Sequence, residues 1–291
     1  MRPLSGHTMP FAVLGHPIGH TLSPIMHNAA FEELKMDAVY LAFDVHPDKL
    51  MEVLPAMAAM NFKGVNLTVP LKEVAFRGLQ NIAPSAKILG AVNTVEFTPD
   101  GKMIGHNTDG TGFITAIAEA FSRKIKGMKV FVFGAGGAGR AVAITCAMEG
   151  ASEIAITDIE ENRSKKVTEE IRIITPQIKI TSVPPETNAC RTASLNADLV
   201  VQATPVGMKK DDPSVLAADC FHKGQMAFDL VYMYPETPFM KAAIKGGAVA
   251  ANGLGMLLHQ GAAAFTIWTG KPAAVSAMRK ALETAVYGKN T

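Results

Sequence analysis

The chain has 291 residues, roughly twice the usual length of one domain, so its length predicts two domains. Hydrophobic residues make up 48% and charged residues 19% of the sequence, which excludes an intrinsically disordered chain and is enough to fill a large core. The formal net charge of +2 argues against a nucleic-acid partner, because binding a phosphate backbone needs a clustered basic excess.

The cysteines and the N-terminus indicate where the protein works. Cys146, Cys190 and Cys220 form no CxxC pair, and an odd count does not suggest a disulfide framework. Residues 1–10 lack the apolar run and cleavage site of a signal peptide, and no run of 18 apolar residues occurs in the chain. We therefore expect a soluble cytoplasmic protein without a membrane partner.

Strands and helices alternate from the start of the chain. The apolar run at residues 11–14 ends at Gly15, which predicts a buried strand followed by a loop. Ser23 is a favoured N-cap and Pro24 a favoured first helical residue, so a helix is predicted over residues 25–34. Similar patterns predict a strand at 39–45, a helix at 49–60, strand-like segments at 64–67 and 91–97, and a turn at 99–101.

The second half has the longer rhythm of βαβ units, which is typical of nucleotide-binding domains. The segment 179–196 predicts no definite element. Elsewhere the apolar patterns predict strands at 130–133, 153–157, 199–203 and 226–230, and helices at 141–149, 256–268 and 273–286.

A glycine-rich turn follows the first of these strands. Residues 134–139 read Gly-Ala-Gly-Gly-Ala-Gly, which fits the pattern GxGxxG. Gly134 permits the tight turn, Gly136 lets a pyrophosphate approach the backbone, and Gly139 allows the next helix to pack closely on the strand. The helix N-terminus offers free N–H groups and a partial positive charge to an anion. The turn predicts a dinucleotide site, with a structural turn that binds nothing as the alternative.

Asp158 bears on which dinucleotide is bound. It lies at the end of the next predicted strand, where a carboxylate accepts hydrogen bonds from the ribose hydroxyls and repels a 2′-phosphate. NAD is therefore favoured over NADP. NADP stays open as the alternative, because Arg163, Lys165 and Lys166 follow closely and are long enough to reach a phosphate, unless they form the solvated face of a helix.

Polar residues in the first half are concentrated in clusters at predicted strand ends. Their hydroxyls and amides, with Lys72 and Asp109, are suited to hydrogen-bond a small polyhydroxylated acid. His16, His20 and His27 do not predict a metal site, because no carboxylate or cysteine completes a ligand set. The clusters lie at residues 15–28, 66–72, 90–94 and 107–110.

Together, the motifs of the two halves resemble those of the shikimate dehydrogenase family, which includes the quinate/shikimate dehydrogenases. Seven motifs occur in the family's order between Phe11 and Tyr287: GxPIxHxxSPxxHN, NxTxPxK, GAVNT, NTDG, GAGGA, ATPxGM and NGLGMLxxQ. The resemblance implies reversible hydride transfer between a nicotinamide cofactor and a ring alcohol or ketone. The implied substrate pairs are shikimate with 3-dehydroshikimate and quinate with 3-dehydroquinate.

The resemblance also implies roles for individual residues. Lys72 and Asp109 look like the catalytic pair, in which an ammonium stabilises the developing alkoxide and supplies a proton, with a structural salt bridge as the alternative. The implied substrate-binding residues are Thr21, Ser23, Asn66, Thr68, Asn93, Tyr232 and Gln260. The implied cofactor-binding residues are Gly134, Ala135, Gly136, Gly137, Ala138, Asp158, Arg163, Thr204, Gly253 and Met256.

Two positions depart from the family pattern. Shikimate-specific members usually carry Ser where this chain has Thr21, and the added methyl reshapes the carboxylate end of the pocket. NADP-specific members resemble Asn-Arg-Thr at residues 158–160, where this chain has Asp-Ile-Glu and so lacks the guanidinium that clamps a 2′-phosphate. The second departure favours NAD, and with it a quinate-using or dual-substrate enzyme.

We therefore predict an α/β protein of two domains with a cleft between them. Residues 1–109, completed by C-terminal helices at 256–291, are expected to bind substrate and carry catalysis, and residues 110–255 to form a Rossmann-type NAD(P)-binding domain. A monomer or homodimer is expected, and no metal. The alternatives are a dehydrogenase of a related hydroxy- or amino-acid analogue, and a dinucleotide-binding regulator without activity.

Overall fold

The computed structural model describes residues 3–209 and 211–288, and the chain forms two compact units. The first unit is Met1–Gly112 with Leu257–Thr291, and the second is Phe113–Met256. The first unit is therefore assembled from both ends of the chain, whereas the second is one continuous segment.

The N-terminal part of the first unit is a sheet of six strands with helices between them. Its strands are β1 Met9–Gly15, β2 Ala38–Asp44, β3 Gly64–Leu67, β4 Asn81–Ile82, β5 Thr94–Phe97 and β6 Met103–His106. Its helices are α1 Ser23–Glu33, α2 Leu50–Ala59, α3 Leu71–Gly78 and α4 Pro84–Leu89, and α5 Asp109–Phe121 leads into the second unit.

The sheet of the first unit is mixed, with strand order β2-β1-β3-β5-β6-β4. β1 runs parallel to both of its neighbours, whereas β5 runs antiparallel to β3 and to β6. Phe11 and Leu14 in β1 are at most 1% exposed, as expected for a strand covered on both faces. The strand predicted at 91–97 begins only at Thr94, because the chain leaves α4 through Gly90 in the left-handed conformation and Val92 N–H then bonds to Lys72 O.

The second unit is an entirely parallel sheet in the order β12-β11-β10-β7-β8-β9. Its strands are β7 Lys129–Phe133, β8 Glu153–Thr157, β9 Lys179–Ser182, β10 Leu199–Gln202, β11 Met226–Asp229 and β12 Val249–Asn252. Its helices are α6 Gly137–Met148, α7 Glu161–Ile174, α8 Thr187–Leu195 and α9 Pro238–Lys245. The strand order reverses between β7 and β10, and in sheets of this kind ligands bind at the carboxyl ends of the strands where the order reverses.

The C-terminal helices α10 Leu254–Thr269 and α11 Val275–Tyr287 return the chain to the first unit. α11 packs against α1. From α10, Trp268 Nε1 donates to Val95 O at 3.1 Å, and its indole lies against Gly64, where a Cβ atom would overlap the ring. The C-terminal segment thus completes the core of the first unit.

The predicted α/β class, with an N-terminal α/β unit and a Rossmann-type unit, is confirmed. Over the described ranges, every helix is too short or too polar to cross a membrane. The three cysteines are buried free thiols. Among residues 3–209 and 211–288, no group of three or more His, Cys, Asp and Glu side chains is placed to hold a metal ion.

Candidate active site

Several of the predicted substrate residues lie at one edge of the first sheet. Thr68 directly follows β3, and its N–H bonds to Leu14 O at 2.9 Å beside the end of β1. Because β5 runs antiparallel to β3, Asn93 lies at this same edge, where its carbonyl accepts the N–H of Leu67 at 2.8 Å. The carboxyl ends of β1 and β3 and the start of β5 therefore meet there.

Lys72 and Asp109 form an ion pair in this unit. Lys72 Nζ lies 2.6 Å from Asp109 Oδ2, with the two side chains 30% and 15% exposed. The expected strand-end position of Lys72 is wrong: Pro70, which cannot donate to a strand ladder, is the N-cap of α3, so Lys72 lies in that helix's first turn. A cation is unfavourable at a helix N-terminus, and the carboxylate of Asp109 compensates its charge.

Asn93 holds the Asp109 carboxylate in place. Its Nδ2 donates to Asp109 Oδ1 at 2.9 Å, and its Oδ1 accepts the N–H of Thr108 at 2.9 Å. Gln260 Oε1, from α10, lies 3.3 Å from the same Nδ2. Asn93 itself is 1% exposed. Asp109 therefore has one oxygen engaged by Asn93 and the other by Lys72, which fixes the orientation of the carboxylate.

Asn66 is linked to this pair through Thr94 and Asn93, and it also bonds to Tyr40, which the sequence motifs did not single out. Its Oδ1 accepts the Tyr40 hydroxyl at 2.6 Å, and its Nδ2 donates to Thr94 Oγ1 at 3.0 Å and to Asn93 O at 3.1 Å. Tyr40 was predicted only as part of a strand. A buried tyrosine hydroxyl usually has a hydrogen-bond partner, and this is the signal by which sequence reasoning could find Tyr40.

Thr21 and Ser23 lie together at the start of α1. Ser23 N–H donates to Thr21 Oγ1 at 3.3 Å, and Ser23 is 7% exposed. The Thr21 hydroxyl thus satisfies one of the N–H groups that a helix N-terminus leaves without a partner. The hydroxyl at position 21 therefore stabilises the start of α1, in addition to any contact it makes with a ligand.

The glycine turn after β7 leaves open space at two of its glycines. Gly134 has φ +107°, and a Cβ atom there would crowd the backbone of Ala203. Gly139 packs so closely that a Cβ would overlap Gly134 O. At Gly136 and Gly137, by contrast, an added Cβ would meet no described atom within 4 Å. Packing within the described protein does not require these two glycines, and the N-terminus of a helix such as α6 is suited to bind a phosphate.

Asp158 lies against this turn. The carboxylate is 8% exposed, its Oδ2 accepts the N–H of Ala135 at 2.7 Å, and its Oδ1 accepts the N–H of Glu160 at 2.9 Å. Arg163 Nη2 lies 2.8 Å from Glu160 Oε1, with both side chains more than half exposed. The exposed carboxylate at the end of β8 is therefore Glu160, and Arg163 is paired with it.

The other predicted cofactor residues, and Tyr232, follow the carboxyl ends of neighbouring parallel strands. Thr204 follows β10, and its Oγ1 accepts the N–H of Val206 at 3.2 Å. Tyr232 follows β11, and burial raises the pKa of its phenol. Gly253 follows β12 at a point where a Cβ would overlap Leu230 O. Met256 is partly buried in the first turn of α10. These residues and the glycine turn share the strand edge where parallel sheets bind ligands.

Asp229, which the motifs passed over, anchors the loop that carries Tyr232. Its side chain is fully buried, with Oδ2 accepting the hydroxyl of Thr237 at 2.5 Å and Oδ1 accepting the N–H of Val231 at 2.9 Å. Burial raises the pKa of this carboxyl to about 6, against the lowering effect of these two hydrogen bonds. Both ends of the loop are thus tied to the end of β11.

Family models match both ends of the chain. The model described as the shikimate dehydrogenase substrate binding domain matches residues 13–95, and the shikimate 5′-dehydrogenase C-terminal domain matches residues 253–283. A curated shikimate dehydrogenase (NADP(+)) from Methanopyrus kandleri is 42% identical over 93% of this chain and 93% of its own length. Another from Methanosarcina acetivorans is 41% identical over 95% of this chain and 98% of its own.

Solved structures resemble the chain over nearly its whole length. Shikimate 5-dehydrogenase from Listeria monocytogenes, in complex with shikimate and NAD, has a TM-score of 0.90 and 37% identity, covering 97% of this chain and 99% of that one. Quinate dehydrogenase from Corynebacterium glutamicum, in complex with NAD, has a TM-score of 0.87 and 29% identity, covering 95% and 99%.

Proposed function

The chain belongs to the shikimate dehydrogenase family, and from that premise we propose that it is a nicotinamide-dependent oxidoreductase. It reversibly interconverts shikimate and 3-dehydroshikimate, and quinate and 3-dehydroquinate as a second pair. The observation that carries this proposal is the Lys72–Asp109 ion pair, whose Nζ and Oδ2 are 2.6 Å apart in a unit lined with amides and hydroxyls.

In this reaction, Lys72 and Asp109 handle the proton. When bound, the cofactor supplies or accepts the hydride. In the direction of reduction, the Lys72 ammonium donates its proton to the carbonyl oxygen of the substrate as negative charge develops there. Asp109, fixed by Asn93, holds the ammonium in position and neutralises its charge. In the direction of oxidation, the neutral amine of Lys72 removes the proton of the substrate hydroxyl.

The first unit binds the substrate in this proposal, and the second binds the dinucleotide. Asn66, Thr68, Asn93 and Gln260 are the polar groups of the first unit for the ring hydroxyls, with Thr21 and Ser23 at the carboxylate end. Gly136 and Gly137, which leave open space at the start of α6, fit a pyrophosphate. The place of action is the cytoplasm, in keeping with three free thiols.

We further propose that NAD is the preferred cofactor, although the curated relatives described above are named for NADP(+). The support is the exposed acidic residue Glu160 at the end of β8. The carboxylate of Glu160 is exposed where a 2′-phosphate would add negative charge, and it engages the nearest guanidinium, that of Arg163. Ile159, the residue before Glu160, is 85% exposed and offers no donor to a phosphate.

Steady-state rates with shikimate and quinate, each with NAD and NADP, test the proposal. We expect turnover of shikimate, and a higher kcat/KM with NAD than with NADP. Lys72→Met should lower kcat by about 10²- to 10⁴-fold, the usual contribution of a general acid. Lys102→Met, which removes a surface lysine paired with Asp100, is the matched control and should leave kcat unchanged. Binding of NAD without turnover of either substrate would favour the regulator instead.

A further inference from the structure

A continuous series of hydrogen bonds joins Tyr40 to the Lys72–Asp109 pair. Tyr40 OH bonds to Asn66 at 2.6 Å, Asn66 to Thr94 at 3.0 Å, Thr94 to Asn93 at 2.9 Å, and Asn93 to Asp109 at 2.9 Å. We call this series, Tyr40–Asn66–Thr94–Asn93–Asp109, the polar chain. All five residues belong to the first unit. Four of them are at most 5% exposed, and Asp109 at its end is 15% exposed.

The direction of every donor in the polar chain follows from its fixed neighbours. Asn66 places its amide nitrogen on Asn93 O, a carbonyl that only accepts, so Asn66 Oδ1 must face Tyr40 and the phenol must donate. Asn93 places its amide oxygen on the N–H of Thr108, so its Nδ2 faces Asp109. Thr94 accepts from Asn66 and donates to Asn93. The bonds therefore all point toward the Asp109 carboxylate, an arrangement in which each bond polarises the next.

Tyr40 is held rigidly at the start of the polar chain. Asn28 bonds to both the N–H and the carbonyl of its backbone, each at 2.9 Å. Its ring stacks on the imidazole of His27 with centroids 4.3 Å apart and planes 6° apart. Burial raises the pKa of the Tyr40 phenol well above its usual value, outweighing the lowering effect of a hydrogen bond with Ser23, so the hydroxyl stays protonated and donates.

We propose that Tyr40 is a positioning residue for the reaction, acting through the polar chain on the Asp109 carboxylate and thus on Lys72. The inference rests on the proposed function. Without the phenol hydroxyl, the buried Asn66 Oδ1 loses the donor that Tyr40 provides. The orientation of the Asn66 amide, and of the Thr94 and Asn93 side chains after it in the polar chain, is then less stable. Asp109 then holds Lys72 less firmly, with no change in any group that the ammonium itself touches.

Tyr40→Phe tests this proposal, because it keeps the ring stacked on His27 and removes only the hydroxyl. We expect kcat to fall about fivefold to tenfold, the equivalent of one hydrogen bond. We also expect the acidic limb of the pH–kcat profile to move to higher pH, because the polar chain then stabilises the charged carboxylate less. A merely structural role for Tyr40 would lower thermal stability and leave the pH profile unchanged.

Thr94 provides a second variant within the polar chain, and Trp268 a matched control outside it. Thr94→Val should lower kcat and move the pH profile as Tyr40→Phe does, whereas Thr94→Ser, which keeps the hydroxyl, should behave as the parent. The double variant Tyr40→Phe/Thr94→Val should be no worse than either single variant, because both changes break the same series of bonds. The Trp268 ring lies 6.2 Å from the Tyr40 ring, and Trp268→Phe removes the hydrogen bond from its indole to Val95 O. This variant should lower stability without moving the pH profile.

The outcomes separate this inference from the proposed function. If the parent turns over neither substrate, the proposed function fails first. If the parent is active, an unchanged kcat and pH profile in Tyr40→Phe overturns the positioning role. Additive losses in the double variant, or the same shift of the pH profile in Trp268→Phe, also overturn it.

Discussion

The Asp158 carboxylate accepts the backbone N–H of Ala135 at 2.7 Å and so ties the end of β8 to the glycine turn after β7. Removing the carboxylate in Asp158→Ala deprives two backbone N–H groups of their acceptor. We expect the free energy of unfolding to fall by about 1–3 kcal/mol and the affinities for NAD and NADP to fall together. Urea denaturation and cofactor titration measure both effects. Asp158→Asn, which keeps one acceptor oxygen, should lose less, and a gain confined to NADP would contradict this role.

Glu160, rather than Asp158, is expected to discriminate between the cofactors. Glu160→Thr removes the exposed carboxylate and releases Arg163, whose guanidinium can then pair with a 2′-phosphate. We expect kcat/KM with NADP to rise about fivefold relative to NAD, which corresponds to about 1 kcal/mol. Glu161→Gln is the matched control, because Glu161 is the next carboxylate along and pairs with Lys165. An equal rise in both variants would show that only net charge matters.

His27 should make the first unit less stable in acid. Its imidazole is fully buried, neither ring nitrogen has a hydrogen-bond partner among the described residues, and burial lowers its pKa to about 3. The unfolded chain binds this proton near pH 6.5 and the folded protein does not. Stability is therefore complete above pH 6.5 and falls by about 1.4 kcal/mol per pH unit as the pH drops toward 3. His27→Leu should lack this slope in urea titrations at several pH values; a parallel slope would refute the assignment.

Asp229 should have the opposite effect in the second unit. Burial raises the pKa of its carboxyl to about 6, so between about pH 4 and 6 the folded protein binds a proton that the unfolded chain has released. Its contribution to stability is therefore lost as the pH rises through this range. Asp229→Asn, which keeps an acceptor for Val231 N–H, should remove this dependence. Calorimetry of the parent and variant at pH 4.5 and 7 measures it, and equal differences at both pH values would contradict it.

Much of the fold was predictable because its strands are apolar and its turns carry strong signals. The strands at 11–14, 130–133 and 199–203 are short runs of buried side chains between recognisable breaks, and the structure has a strand at each. The segment 179–196 was not interpretable for a physical reason. β9 has four residues with only Ile180 buried, and α8 is rich in Thr, Asn and Ser, so neither shows a clear apolar period.

The candidate site was predictable only as a set of residue types. The structure brings Lys72 and Asp109 into contact and joins them to Asn93, Asn66 and Gln260. The sequence does not predict the role of Tyr40, because Tyr40 lies in β2 and Asn66 in β3, on either side of β1. Their contact is long-range and leaves no local pattern in the sequence. The sequence also does not predict that the Asp158 carboxylate bonds to the glycine turn, because its partner, the Ala135 N–H, is 23 residues away.

The assembly of the first unit from both ends of the chain has a consequence for synthesis on the ribosome. The second unit is complete once residue 256 has emerged, so it can fold while translation continues. The first unit must wait for Phe265, which packs on Phe31, and for Trp268, which covers Gly64. A product terminated before α10 would therefore keep the complete second unit but leave Phe31 of α1 without its partner Phe265. We expect such a product to be bound by chaperones or degraded by proteases.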